Sequence, residues 1–444
     1  MFSEPTTNNP TDTIVAMSGT SGFTESAADS LNNTSMEEDD MAREEVALAR
    51  EEQDGKNHVK TFDIFSSSPT AMALTAAGGG GQKQRLNKGA VLMEGDDPLL
   101  ESNWDDGEGY YSTRVGEVVC DRYRVMGEVG KGVFSTAIKC IDVKKHDNLV
   151  VLKIIRNNDI MRKASEKEIF LLQLIAQTDP QNKKHCVRLL GNTEYRNHVV
   201  LAFECLGMNL RETVKKFGKH VGINVTAVRL YARQLFVALR HLTELKIVHA
   251  DIKPDNILVS EDLKQVKICD FGSAFRETDS DNDPTPYLQS RFYRAPEIVL
   301  GLNYDRMIDL WSVGACLYEL FTGHVMFAGR TNNEMIRLHM EYKGKIPNKV
   351  VKAHQRSFDI LELDPHFDSD FKFKMHDIDP VTNKPIMRLV DITAPKKNIA
   401  TILLQSKVSQ WFEWLFWEIQ CCVMHMLHSI SVVVTVRGFS SWFV

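Results

Sequence analysis

Between Ile247 and Val259 a short polar set, His249, Asp251, Lys253 and Asn256, sits between two apolar runs, Ile247-Val248 and Ile257-Leu258-Val259. The aliphatic flanks predict short strands that hold the intervening loop rigid while leaving its polar groups exposed. Asp, Asn and Pro are also ordinary turn residues, so a plain polar turn accounts for this stretch in isolation. Fourteen residues past Asn256, however, comes Asp270-Phe271-Gly272, with a second carboxylate. Phosphoryl transfer requires a carboxylate that orients a hydroxyl (Asp251) and a cation that meets phosphate charge (Lys253). It also requires oxygen donors for Mg²⁺, here Asn256 and Asp270.

Upstream, folded structure is expected from near Trp104. Val118 to Val129 alternates enough for a first strand, and Gly130-Lys131-Gly132-Val133-Phe134-Ser135-Thr136-Ala137 follows. A G-x-G turn lets backbone amides approach phosphates because no Cβ intervenes, although most such turns are simple hairpins. Leu149 to Ile155 is a buried-strand run interrupted by Lys153, and a lysine there needs a partner. Glu168 is the candidate, in a helical stretch from Met161 to Thr178 whose Ile169, Leu172 and Ile175 form an apolar face. Glu166 is the rival, but on a helix it faces elsewhere. Val199 to Phe203 reads as a strand running into Glu204-Cys205-Leu206-Gly207. A hinge there would offer backbone hydrogen bonds to adenine, with Phe203 behind it; a strand ending at a glycine turn fits the same residues. From Asn224 to Leu245 an amphipathic helix carrying Val228, Tyr231, Leu235, Ala238 and Leu242 leads into the polar loop.

After a polar segment, Thr278 to Pro286, comes Tyr287-Leu288-Gln289-Ser290-Arg291-Phe292-Tyr293-Arg294-Ala295-Pro296-Glu297. In chain order the chain thus presents a Gly-rich loop, a strand lysine, a helix glutamate, H-x-D, D-F-G and A-P-E. This series resembles the protein kinases. Asp309 to Gly314 resembles the buried helix beneath their catalytic loop. The resemblance implies an α+β, bilobal kinase fold, with an upper lobe over 101–206 and a lower lobe over 207–407. It implies ATP and Mg²⁺ as cofactors, Asp251 and Lys253 as catalytic residues, and Asn256 and Asp270 as metal ligands. Around the nucleotide it implies Gly130, Lys131, Gly132, Ala137, Val151, Lys153, Glu168, Phe203, Glu204 and Leu206.

Finer features resemble the CMGC group, close to the dual-specificity tyrosine-regulated kinases, and more narrowly the pre-mRNA-processing kinases associated with the spliceosomal tri-snRNP. They are N-W-D-D-x-E-G-Y-Y (Asn103–Tyr111), K-I-I-R-N-N (Lys153–Asn158), M-N-L-R-E (Met208–Glu212), H-A-D-I-K-P-D-N-I-L-V (His249–Val259) and T-P-Y-L-x-S-R-F-Y-R-A-P-E (Thr285–Glu297). The implied protein is a nuclear, monomeric serine/threonine kinase acting on splicing factors and tri-snRNP components, with autophosphorylation of Tyr287. Arg291 and Arg294 would then clasp the phosphate.

Three departures stand out. Ser135 replaces the third glycine and Ala250 the catalytic-loop arginine, both in keeping with this family. The N-terminal region lacks the family's Arg/Ser- and Lys-rich repeats. Finally, no D-P-x-x-R-type arginine follows to pair with Glu297, and the resemblance stops near Lys407. Val408 to Val444 is aromatic and apolar, and Ile419 to Val436 has no charged residue. A membrane span, a helix packed on the lower lobe and a translated intron are the readings; the last is favoured, because a splice-donor sequence can encode Lys407-Val408-Ser409. A kinase-like binding module, inactive or unstable for want of terminal helices, is the alternative to an active enzyme.

The chain's net charge of −6 hides a split. Residues 1–100 carry 7 Lys and Arg against 17 Asp and Glu, a net of −10 that leaves +4 for the remainder. They are rich in Ser, Thr, Asn and Gly and are expected to be a disordered acidic tail, without direct nucleic-acid binding. The eight cysteines contain no C-x-x-C and read as reduced thiols. Met1 to Asn33 has no basic region and no sustained apolar run of the signal-peptide kind.

Overall fold

The computed structural model describes residues 104–279, 284–379 and 382–406. The expected acidic tail and the apolar segment after Lys407 lie outside the described residues. Among those residues, no helix is long and apolar enough to cross a membrane.

The upper lobe is one antiparallel sheet of β1 (Val118–Val119), β2 (Tyr123–Lys131), β3 (Ser135–Asp142), β4 (Asn148–Ile155), β5 (Leu189–Tyr195) and β6 (His198–Glu204), ordered β1-β2-β3-β4-β6-β5. The single strand expected over Val118 to Val129 is two. Cys120 and Asp121 adopt left-handed backbone (φ 56° and 51°), so the chain reverses and Val119 pairs with Tyr123. Strict alternation along β3 and β4 separates two faces. Ile138, Cys140, Val150 and Leu152 are buried in the sheet's own core. Ala137, Val151 and Lys153 point the other way and are half-buried.

Helix α1 (Asp159–Thr178) packs beneath that second face. It begins two residues before the expected Met161, because the Asn158 side chain accepts from the backbone N–H groups of Ile160 and Met161 and caps it. Met161, Ser165, Glu168, Leu172 and Ile175 make its buried face, while Ile169 is only half-buried and Glu166 is exposed. The spacing thus brings Glu168 inward on an otherwise apolar stripe.

The lower lobe is mainly helical. Asn224 caps α2 (Val225–Glu244), which feeds into β7 (Ile247–Val248), and β8 (Ile257–Val259) pairs with β9 (Val266–Ile268). Short β10 (Phe275–Arg276) returns to pair with β7. Helix α3 (Met307–Thr322) is buried on nearly all sides, with Trp311 stacked on Phe327 at 5.5 Å between centroids. A helix without a polar face can only be the centre of its lobe. Around it lie α4 (Asn332–Lys343), α5 (Asn348–Ile360), the hairpin β11 (Phe373–Ile378) and β12 (Pro385–Val390), and α6 (Ile399–Ser406).

Candidate active site

Strands β7 and β8 bracket the polar loop, and α3 supports it from below. Asp309 accepts hydrogen bonds from the backbone N–H groups of His249 (2.6 Å) and Ala250 (2.9 Å). These bonds hold Ala250 in left-handed backbone, φ 63°, a conformation a non-glycine residue keeps only under such restraint. Fully buried His249 bonds through Nε2 to the Cys269 carbonyl (3.0 Å), and its Nδ1 accepts from the N–H of Asp251 (3.2 Å). Its ring meets Phe271 edge-on at 4.9 Å, so the H-x-D and D-F-G segments are one packed unit.

The Asp251 carboxylate is held from three sides. Its Oδ2 accepts from Asn256 Nδ2 (3.0 Å) and lies 3.1 Å from Lys253 Nζ. Its Oδ1 accepts from the Ser290 hydroxyl at 2.6 Å. Burial alone would lower the Lys253 ammonium, but the Asp251 carboxylate outweighs it and holds Lys253 above its ordinary range. With the amide nitrogen of Asn256 engaged, its amide oxygen is the atom suited to a hard cation.

Lys153 Nζ lies 2.8 and 3.0 Å from the two oxygens of Glu168 and 2.8 Å from Asp270 Oδ1. Burial opposes the lysine's charge, yet the carboxylates of Asp270 and Glu168 raise it well beyond the usual range. Reciprocally, the Lys153 ammonium draws Asp270 down to about 2. Asp270 has φ 62° and its side chain is 49% exposed, so a charged carboxylate is presented to the cleft. A Cβ on Gly272 would sit in ordinary contact with Asp270 Oδ1 (3.4 Å) and Lys153 Nζ (3.8 Å), which places this glycine at the edge of the charged cluster. Asp270 and Asn256 together supply two hard oxygen donors, the kind of set that holds Mg²⁺ alongside phosphate oxygens.

On the same face as Lys153 lie Ala137, its direct cross-strand partner, and Val151, which opposes Lys139 and Phe203. Gly130, next to last in β2, pairs with Ala137, and Gly132 N–H bonds to Ser135 O at 2.9 Å to close the turn. Two side chains of the expected nucleotide set have protein partners. The Lys131 ammonium sits 3.2 Å from Asp106 and 4.0 Å from the Tyr110 ring, so it is held outward above the turn. The Glu204 carboxylate pairs with buried Lys267 at 2.7 and 2.8 Å and accepts from Arg188 N–H, so any role of Glu204 toward adenine falls to its backbone. Leu206 is half-buried beside Gly207, where a Cβ would come within 2.8 Å of the Val259 carbonyl.

In the activation segment Tyr287 is 41% exposed. Arg294 is buried, donating to the carbonyls of Tyr287 (3.0 Å), Leu288 (2.8 Å) and Gln289 (2.9 Å) and to Asn332 Oδ1 (2.6 Å). Burial, reinforced by the neighbouring Arg291 charge, lowers it to about 10. Arg291 itself donates to the Arg330 carbonyl at 2.5 Å. Of the two arginines expected to clasp a Tyr287 phosphate, Arg294 braces the backbone around Tyr287 and Arg291 is engaged with Arg330. Glu297 is buried, and among the described residues its Oε2 has no hydrogen-bond partner; burial lifts the carboxyl to about 7.

Two groups in this site escaped the sequence reading. Arg211 bridges Asp255 in the catalytic loop (3.1 Å) to Glu319 on α3 (2.5 Å), and Tyr293 donates to the same Glu319 at 2.6 Å. Lys267, the partner of Glu204, is the other. A lysine inside the short run Val266-Lys267-Ile268 carries the same buried-cation signal that singled out Lys153.

Residues 123–383 match the protein kinase domain as a family, over the segment that holds Lys153, Glu168, Asp251, Asn256, Asp270 and Glu297. The chain belongs to the protein kinase family, in its Prp4-type branch of serine/threonine kinases. It is 43% identical over 363 residues to serine/threonine-protein kinase prpf4B of Dictyostelium discoideum, covering 80% of this chain and 43% of that protein. It is 42% identical over 347 residues to serine/threonine-protein kinase prp4 of Schizosaccharomyces pombe, covering 78% and 69%. A probable serine/threonine-protein kinase dyrk2 of Dictyostelium discoideum is 35% identical over 267 residues, covering 60% of this chain and 29% of that one.

Proposed function

We propose that this chain is a Mg²⁺- and ATP-dependent protein serine/threonine kinase that acts in the nucleus on pre-mRNA splicing proteins and autophosphorylates Tyr287. The observation that carries the reading is Lys153, held at 2.8 Å from both Glu168 and Asp270. When bound, Mg·ATP supplies the transferable phosphoryl group and neutralises charge that develops on it. Lys153 holds an ammonium at the cleft, kept in place by Glu168. Asn256 and Asp270 are the residues that would hold the metal. Asp251 already accepts a serine hydroxyl, that of Ser290, at 2.6 Å, which is the contact a substrate hydroxyl needs before its proton leaves. Lys253 lies 3.0 Å from the same hydroxyl, where it offsets negative charge.

The test is phosphate incorporation into serine/threonine substrates, splicing proteins among them, by purified chain beside an Asp270→Ala control, with Tyr287 phosphate read by mass spectrometry. Equal incorporation by both proteins would refute the reading. The unpartnered Oε2 of buried Glu297 favours a second one, a kinase-like module that binds nucleotide without turnover. Nucleotide binding with no incorporation would select it.

A further inference from the structure

Ahead of β1, residues 104–112 form a loop closed on itself by an Asp105–Tyr111 bridge, and its contacts run to the glycine-rich turn and to the end of the Lys153 strand beside it. The Tyr110 hydroxyl lies 3.0 Å from the Gly132 carbonyl and 2.9 Å from the Val133 carbonyl, at the tip of the glycine-rich turn. Lys131 adds a cation over the Tyr110 ring and an ion pair to Asp106. Asp106 also accepts from the N–H of Tyr110 at 2.9 Å, which fixes the ring's base.

The loop's second anchor is where the Lys153 strand finishes, beside that turn, with Ile155 opposite Ser135. Asn157 N–H donates to the Gly109 carbonyl (2.8 Å), and Asn157 Nδ2 to Asp105 (2.9 Å). Asp105 also meets Nε2 of fully buried His198 at 2.7 Å, whose Nδ1 contacts the Ile155 carbonyl at 2.7 Å. Gly109 has φ 84°, and a Cβ there would press on the Asn157 carbonyl at 3.1 Å. A glycine-rich turn brings few side-chain contacts of its own, so an external tether changes what it does.

We propose that residues 104–112 are a strap that positions the phosphate-facing turn relative to Lys153, with Tyr110 as the positioning residue. This rests on the nucleotide reading above. The strap touches the phosphate end of the roof, whereas Ala137 and Val151 occupy the strands behind it. Loosening it therefore acts on phosphates and leaves the nucleoside end alone.

The experiment compares Mg·ATP and adenosine affinities by calorimetry for the full chain, Tyr110→Phe and Gly109→Ala, with thermal unfolding of each. Tyr110→Phe keeps the ring over Lys131 and removes only the hydroxyl. Its ATP affinity is expected to fall about five-fold, the effect of a single neutral hydrogen bond, with adenosine affinity unchanged. Gly109→Ala, which displaces the strap from Asn157, should give the same selective loss. Equal weakening of both ligands, as general destabilisation would produce, or no change in either, overturns the proposal. Unmodified chain that binds neither ligand overturns the nucleotide reading and the strap with it.

Discussion

Lys153 Nζ lies 2.8 Å from Asp270 Oδ1 across 117 residues of sequence, and that contact joins the upper sheet to the lower lobe inside the cleft. Each group holds the other in its charged form, so the site is kept ready for a polyanion and a cation.

Asp251→Asn tests the chemistry. An amide keeps most of the contacts to Ser290 and Asn256 but accepts no proton. Turnover should fall by about 10²–10⁴-fold, the usual worth of a positioned general base, while ATP affinity stays near that of the unmodified chain. Single-turnover kinetics with a nucleotide titration measure both, and retained turnover would remove Asp251 from its assigned role.

Glu297 gives a pH signature. Burial raises its carboxyl from an ordinary 4.5 to about 7, so the folded chain binds the proton more tightly than the unfolded one. Its contribution to stability is fully present below pH 4.5 and is lost as pH rises through about 7. Glu297→Gln removes the buried charge, and should raise the melting temperature at pH 8 by about 2–4 °C while changing it little at pH 5. A substitution that lowers stability at both pH values contradicts this account.

Lys267→Ala tests the anchor of the hinge strand. The Lys267 ammonium is buried against Glu204, and removing one member of such a pair typically costs about 3–5 kcal/mol. Denaturant unfolding should register a loss of this order. A change below about 1 kcal/mol would mean that the bonds from Arg188 N–H and Asn182 suffice for Glu204.

Ala137 and Val151 share the cleft-facing side of adjacent strands, diagonal to one another across the β3–β4 ladder. Ala137→Val alone should crowd the adenine roof, since overpacking costs about 1–3 kcal/mol, and Val151→Ala alone should leave a gap. The double swap should recover most of the ATP affinity, because contacting sites are not additive. Simple additivity in the cycle would make the two substitutions independent.

Much of the site was legible in the residue order because its chemistry is local. From His249 to Asn256 the active groups are separated by a few covalent bonds, so their spacing already dictates which can converge. Glu168 was legible because a helix period turns one glutamate inward and Glu166 outward, and because a lysine in an apolar strand needs a carboxylate. Tertiary structure decided the rest. The turn at Cys120 and Asp121 carries no glycine, and a single aspartate inside a strand-like run was too weak a mark of its left-handed backbone. Lys131 faces Asp106 and Tyr110, and Glu204 faces Lys267, 63 residues away. Arg294 is turned inward onto carbonyls that only the folded activation segment gathers around it. The sequence names each ionisable group, but its direction depends on which partner the fold brings within about 3 Å, and long-range partners have no period to reveal them.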